Sequence, residues 1–134
     1  MILLDTNVCV GILRGERKVL AEYSRAAGNV AVAAMTEGEL FYGAECSDDP
    51  EGNRIFVSRF LKAIPVVHTS DDIMRRFAVE KGQLRKRGIV VDDADVLIAA
   101  TALALNCPLA TRNIRHFSRF PALTLENWFG DEHL

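Results

Sequence analysis

Short apolar runs alternate with helix-length amphipathic segments along this chain, and that alternation limits the possible folds more than any other feature. The runs Ile2–Leu4, Val30–Ala33 and Ile64–Val67 predict strands, with helical periodicity between them. Strands separated by helices favour a mostly parallel sheet, because parallel neighbours need a long crossover connection. We therefore predict an α/β fold with a central sheet of four or five strands and helices on both faces.

Turn and cap residues mark where the remaining elements end. Pro65 indicates that the third strand lies at a sheet edge or begins at the proline, and Trp128 and Phe129 are expected to dock the C-terminal segment. The last long helix is so rich in Val, Leu, Ile and Ala that burial on nearly all sides is expected. The predicted helices are Val8–Leu13, Lys18–Ala27, Thr36–Glu45, Asn53–Ala63, Ile73–Arg87 and Asp92–Leu105, and the further strands are Pro108–Ala110 and Leu123–Leu125.

The length and composition suit one globular domain spanning residues 1–134. Hydrophobic residues make up 49% and charged residues 25% of the chain, a mix typical of soluble proteins. No apolar segment approaches the roughly 18 residues of a membrane helix, and no basic-then-apolar leader precedes the first strand. We expect a cytoplasmic protein without membrane contact. The odd, scattered cysteines Cys9, Cys46 and Cys107 predict buried thiols, not disulfides or a zinc site.

Charge is segregated, although the formal net charge is only −2. The segment Arg75–Arg87 carries six cations and one acid, and Arg112–Arg119 carries three arginines and no acid. Such a run is either a solvated helix face or a patch that contacts phosphate groups. Both interpretations remain open from the sequence.

Asp5 directly follows the first predicted strand. In parallel α/β sheets, ligands bind beyond the carboxyl ends of the strands, so the Asp5 side chain is expected in such a crevice. Thr111, Arg112 and Asn113 follow the fourth predicted strand and are expected at the same edge.

The acids also have purely structural interpretations. Thr36 and Glu39 have the spacing of a capping box. Asp92 or Asp93 suits a helix N-cap, Asp95 suits the positive end of the helix dipole, and Asp5 suits an Asx turn. Each interpretation is reasonable for one residue taken alone.

Asp95 is harder to explain structurally, because it lies in the first turn of the most apolar helix. A carboxylate buried there is costly unless something pairs with it. Several carboxylates in one crevice repel one another, and a hard divalent cation relieves that repulsion. Mg²⁺ binds through carboxylates, water and substrate phosphate, so the acids indicate metal-assisted phosphoryl chemistry.

Four blocks, "LLDTN", "TEGELFYG", "DADVLIAATAL" and "LATRNIRHFSRF", follow the same order as in PIN-domain ribonucleases, and the terminal "LTLENW" resembles their last strand. The chain most resembles the VapC-like toxins of toxin–antitoxin modules, over nearly its whole length. The resemblance implies a three-layer α/β/α PIN domain.

The resemblance also implies roles for individual residues. Asn113 stands where many members carry a fourth acid and many toxins carry Asn, and it brings no charge. Arg112 and Arg115 flank the expected crevice and are candidate contacts to RNA phosphates. The implied catalytic set is Asp5, Glu39, Asp95 and Asn113, with Asp5, Asp93 and Asp95 as metal ligands and Thr6 and Thr111 as supporting hydroxyls.

The implied activity is that of a Mg²⁺- or Mn²⁺-dependent endoribonuclease. In such enzymes metal-activated water attacks the phosphodiester in line and leaves a 5′-phosphate and a 3′-hydroxyl. This chemistry needs no histidine pair, and we assign none of the three histidines to the site. Transfer RNA and ribosomal RNA are both plausible substrates. The resemblance further implies a homodimer, and a small antitoxin that inserts a basic residue into the acidic crevice.

Two other functions remain open. One is a PIN-fold module that binds RNA or protein but does not cleave. The other is a phosphatase of the haloacid-dehalogenase type, which usually carries a D-x-D pattern where this chain has Asp5 and Asn7. Metal-dependent RNA cleavage by the purified protein would distinguish the first alternative from a nuclease.

Overall fold

The first strand lies at the centre of a parallel sheet in the computed structural model, which describes residues 1–130. The last four residues of the predicted domain lie outside that range. The strands are β1 Ile2–Leu4, β2 Val30–Ala33, β3 Val66–Val67, β4 Leu109–Thr111 and β5 Leu125–Asn127, in the spatial order β3-β2-β1-β4-β5. All four neighbouring pairs are parallel, so the predicted sheet is confirmed.

The strand order places a switch point between β1 and β4. The chain moves outward from β1 to β3 and then returns to the other side of β1 for β4 and β5. A crevice opens at the carboxyl ends of the strands where such an order reverses. Asp5 follows β1 and Asn113 closely follows β4, so both lie at this position.

Seven helices within residues 1–130 cover the sheet. Their boundaries follow local capping: the Ser70 hydroxyl accepts a hydrogen bond from the Ile73 amide at 3.2 Å, and Asn106 ends its helix in the left-handed conformation. The helices are α1 Thr6–Leu13, α2 Arg17–Ala26, α3 Ala34–Glu45, α4 Pro50–Lys62, α5 Asp71–Lys86, α6 Asp93–Leu105 and α7 Ile114–Phe117.

Alternating side chains of the strands divide the core into two layers. Leu3 packs on one face of the sheet, in a cluster that includes Leu84 of α5, residues of α6, and Phe117 of α7. Leu4 packs on the other face, in a cluster with residues of α1 to α4. The three-layer α/β/α arrangement is therefore confirmed.

The middle of α6 is buried on every side, as its composition predicts. Five consecutive residues, 98–102, are buried, so no helical face at that level reaches solvent. Leu105 at the end of the helix is 38% exposed, so the complete burial applies to the middle only. Because the middle of the helix is buried in the core, the helix is anchored just beyond its first turn.

Several predicted boundaries differ from the structure. Strand β3 has only two residues, and it is an edge strand, as Pro65 indicated. Helix α4 begins at Pro50 because Asp49 caps it, and α7 was not predicted. Cys46 is exposed, contrary to expectation.

The C-terminal aromatic residues behave as predicted. Trp128 and Phe129 are almost completely buried in the layer formed by α1 to α4. Residues 1–130 include no helix that combines the length and apolarity needed to cross a membrane.

Candidate active site

Asp5 links the sheet to the switch-point crevice. Its backbone amide donates to the carbonyl of Ala110 at 3.0 Å, which continues the pairing of β1 with β4. Its Oδ1 accepts from the Val8 amide at 2.9 Å and so caps α1. Asp5 can therefore cap α1 and line the crevice at the same time. The residue is only 3% exposed.

Burial raises the pKa of the Asp5 carboxyl to about 6, because the charged form loses its hydration. Hydrogen bonds from the Thr111 hydroxyl and the Val8 amide oppose this rise in pKa, whereas the nearby charges of Asp95 and Glu39 add to it. The crevice therefore concentrates negative charge around a poorly hydrated carboxylate. A cation placed there would reverse this electrostatic cost.

Glu39 is held by a hydroxyl from α1. The Thr6 hydroxyl donates to Glu39 Oε1 at 2.6 Å and lies 3.3 Å from the Thr36 hydroxyl. Helix α3 begins at Ala34, so Thr36 lies inside the helix and the capping-box interpretation of Glu39 is wrong. The same contact shows how Thr6 supports the acid. The contact of the buried Thr36 hydroxyl with Thr6 was not predicted, because the sequence pattern assigned Thr36 to a helix cap.

Asp95 is paired with a histidine that the sequence analysis did not assign to the site. Its Oδ2 lies 2.9 Å from His116 Nε2, and the two side chains are 32% and 21% exposed. His116 lies in the "LATRNIRHFSRF" block, which is the one sequence signal that could have placed it near the site. Helix α7 has only four residues and leaves no periodic pattern, so the contact of His116 with Asp95 could not be predicted. Asp92 at the N-cap of α6 makes no side-chain cap hydrogen bond.

These side chains surround one small polar cavity of about 170 Å³. Thr111 stands behind it: its hydroxyl accepts from the Asn113 amide at 3.0 Å and bonds to Asp5. A larger apolar cavity of about 290 Å³ lies between α1, α3 and α4 and shares Thr6 and Glu39. The polar cavity is lined by Asp5, Thr6, Asn7, Glu39, Asp95, Ile98, Asn113, His116 and Phe117.

Three predicted residues lie outside the lining of this cavity. Asp93 pairs with Lys81 at 2.8 Å, is 66% exposed and does not line the cavity. The Arg112 guanidinium lies over the Phe129 ring at 4.6 Å. Arg115 is exposed on α7 and also does not line the cavity.

The donor set fits a hydrated divalent cation. As the side chains stand in residues 1–130, no three Asp, Glu, His or Cys residues are close enough to hold a metal ion among themselves. One carboxylate oxygen of Glu39 is hydrogen-bonded to Thr6 instead, and one of Asp95 is hydrogen-bonded to His116. Mg²⁺ keeps several waters and needs only one or two carboxylates, so the oxygen chemistry of this cavity suits it.

Fold and site together define an α/β/α domain with a carboxylate-lined crevice at the switch point of its sheet. The PIN domain family matches residues 2–123, and the chain belongs to this family. The resemblance carried by the four sequence blocks is confirmed.

Relatives match over nearly the whole chain. Ribonuclease VapC2 of Haemophilus influenzae is 33% identical over 127 residues, covering 94% of this chain and 96% of that protein. The tRNA(fMet)-specific endonuclease VapC of Salmonella typhimurium is 30% identical over 131 residues, again covering 94% and 96%. The crystal structure of VapBC2 from Rickettsia felis, bound to a DNA fragment from their promoter, matches with a TM-score of 0.89 and 31% identity, over 96% of this chain and 99% of that chain.

Asp5 should make the metal-free protein less stable as the pH rises from about 4 to about 6. Its pKa in the folded state, about 6, exceeds the ordinary value of 3.8, so the folded protein binds this proton more tightly than the unfolded chain. The stabilisation is complete below the ordinary pKa and is lost as the pH passes the folded pKa, a change of about 3 kcal/mol. Asp5→Asn should lack it.

Urea unfolding in a chelator, across this pH range, measures the effect. The difference in unfolding free energy between wild type and Asp5→Asn reports the titration of Asp5 together with its interaction with Asp95 and Glu39. Asp92→Asn, at an exposed position without a cap hydrogen bond, is the matched control and should follow wild type. An Asp5→Asn protein with the wild-type pH slope would show that Asp5 titrates normally.

Proposed function

We propose that this protein is a divalent-metal-dependent endoribonuclease that acts as the toxin of a toxin–antitoxin pair. The observation that carries the proposal is the meeting of Asp5, Glu39 and Asp95 in one polar cavity, in a PIN-domain chain whose relatives are named as VapC ribonucleases. The alternative of a non-cleaving module requires a degenerate acid set, and these three acids are retained.

Asp5 and Asp95 are the proposed ligands of Mg²⁺, with Mn²⁺ as a substitute. They approach from β1 and α6, so the sheet and the most buried helix fix their relative positions. Glu39, held by Thr6, and Asn113 contribute further oxygens. A bound cation would lower the pKa of a water and stabilise charge on the phosphate. The predicted ligand role of Asp93 has no support from its position beside Lys81.

The proposed substrate is structured RNA in the cytoplasm. One relative is named a tRNA(fMet)-specific endonuclease, which makes transfer RNA the first substrate to test. Attack by water leaves a 5′-phosphate and a 3′-hydroxyl without using the RNA 2′-hydroxyl. Mapping the RNA ends after expression of the chain without its partner would identify the target, and 2′,3′-cyclic ends would contradict this chemistry.

Neutral variants of the three acids should lose RNA cleavage. Asp5→Asn, Glu39→Gln and Asp95→Asn keep side-chain shape and remove a negative charge from the crevice, so Mg²⁺-dependent cleavage should fall by at least about 10² in each. Single-turnover cleavage of a labelled RNA, with and without chelator, measures the loss. Circular dichroism checks that each variant is folded.

Two neighbouring acids serve as comparisons. Asp92→Asn should cleave as wild type, because Asp92 is exposed and lines no part of the cavity. Asp93→Asn tests the prediction made from the sequence: a small effect agrees with its pairing to Lys81, whereas abolished cleavage would make it a ligand. Wild-type cleavage in Asp5→Asn would overturn the whole site assignment.

Arg115 is the proposed phosphate contact beside the crevice. It is exposed on α7, next to His116 in the cavity wall, whereas Arg112 is stacked on Phe129. Arg115→Ala should weaken binding of RNA to a cleavage-inactive protein and lower the slope of log affinity against log salt by about 0.7 to 1, as expected for one lost phosphate contact.

Arg112→Ala and Arg25→Ala complete this test. Arg25 lies in the last turn of α2, near the amino ends of the strands and opposite the crevice, so its loss should leave the slope unchanged. A slope lowered by Arg112→Ala alone would move the contact to Arg112. If the salt slope of all three alanine variants equalled that of wild type, Arg112 and Arg115 would both be excluded as phosphate contacts.

The proposed partner is a small antitoxin that blocks the crevice with a basic residue. The metal-free crevice is anionic, so an inserted Arg or Lys would pair with its carboxylates and exclude the cation. The Rickettsia felis relative was crystallised as VapBC2. We also propose a symmetric homodimer; exposed Tyr42 and Phe56 on α3 and α4 leave apolar surface available.

The complex with the protein encoded next to this chain should be inactive as a nuclease. Restored cleavage after selective proteolysis of the partner would show that the block is reversible. Light scattering of the free chain at micromolar concentration should give the mass of a dimer. Full activity of the intact complex would refute the toxin assignment but leave the nuclease chemistry standing, and a monomer would refute only the dimer.

A further inference from the structure

The contact of His116 with Asp95 is the feature of the crevice that the proposed chemistry leaves unused. We propose that His116 is a positioning residue: its Nε2–H holds Oδ2 of Asp95 and orients that carboxylate as a ligand for the divalent cation. This inference rests on the proposed function, because it concerns the same site. It adds a residue whose role is exerted through Asp95 and not through contact with RNA.

The chemistry of the pair fixes the direction of the hydrogen bond. An ionised carboxylate can only accept, so the His116 Nε2 facing it must carry a proton and donate. The separation of 2.9 Å between Nε2 and Oδ2 is that of a well-formed hydrogen bond. Only one of the two Asp95 oxygens takes part, which leaves Oδ1 for a cation.

The position of His116 is set by the core beneath it. Its neighbour Phe117 is 3% exposed and belongs to the core layer of α5 and α6. The Phe117 amide donates to the Asn113 carbonyl at 3.1 Å, and its ring meets the imidazole edge to face at 5.1 Å. The imidazole is therefore presented to α6 by a buried anchor, and its position does not depend on a flexible loop.

Asp95 needs such a partner more than the other two acids. It is about one-third exposed, and the charges of Asp5 and Glu39 favour rotation of its carboxylate out towards solvent. Asp5 is already held by the Val8 amide, and Glu39 by Thr6. His116 gives Asp95 the equivalent support, so each of the three acids is held by at least one donor. Donors of this kind, one step removed from the metal, typically change metal affinity by 10- to 100-fold.

Titration of Mn²⁺ into the full-length protein by calorimetry tests the role without relying on activity. His116→Leu should weaken Mn²⁺ binding about 10- to 100-fold. His116→Gln should restore it, because its terminal amide nitrogen reaches the position of Nε2. His116→Asn should not, because its shorter amide corresponds to Nδ1. His68→Leu, at an exposed position outside the cavity, is the control for replacing a histidine and should bind as wild type.

A double-mutant cycle separates positioning from a structural role. In the Asp95→Asn background, His116→Leu should cause no further loss of Mn²⁺ affinity. A residue that only stabilises the fold would lower the metal-free melting temperature in both backgrounds and leave Mn²⁺ affinity unchanged, which would overturn the proposal. Should His116→Leu fail to fold, equal Mn²⁺ affinities of the Gln and Asn variants would overturn it as well.

Failure of this inference differs from failure of the proposed function. If wild type binds Mn²⁺ and cleaves RNA while all the His116 variants bind Mn²⁺ equally well, only the role of His116 is wrong. If wild type neither binds Mn²⁺ nor cleaves RNA, the proposed function fails and the positioning role fails with it.

Discussion

The burial of Asp5 at the switch point is the constraint on which the crevice depends. One residue completes the pairing of β1 with β4 through its amide and begins α1 through its carboxylate. The same carboxylate is then left almost without solvent, next to two other acids. The local structure that fixes Asp5 thus also removes the hydration of its carboxylate and raises the free energy of the ionised form. A bound cation would lower that free energy.

The protein holds these carboxylates with donors other than Lys or Arg. A backbone amide holds Asp5, the Thr6 hydroxyl holds Glu39 and the His116 ring holds Asp95. Among residues 1–130, no Lys or Arg lines the polar cavity, whereas Lys81 pairs with Asp93 outside it. Lysine or arginine inside the cavity would neutralise the acids permanently and compete with a metal. A backbone amide and a hydroxyl hold the geometry of Asp5 and Glu39 without adding a positive charge.

The elements that can be predicted from the sequence are those whose signal is periodic or follows a strand. Strand β1 and Asp5 were found together, because the apolar run ends directly at the acid. The role of Glu39 was ambiguous, because its spacing from Thr36 fits a capping box and the same residue is also a candidate catalytic acid. Only the start of α3 at Ala34 resolves it. His116 could not be placed, because a four-residue helix has no period and its contact spans 21 positions.

The crevice draws its acids from both layers of the fold. Glu39 comes from α3, which packs on one face of the sheet, whereas Asp95 and His116 come from α6 and α7 on the other. Asp5 lies at the end of the central strand between them. The separation of these acids is therefore set by how closely both helical layers pack on the short strands, and not by any loop. A cavity in either core layer, far from the crevice, would change the distance between Glu39 and Asp95. The packing of this domain is for that reason part of its chemistry, and core residues with no polar atoms influence the site through the spacing that they impose.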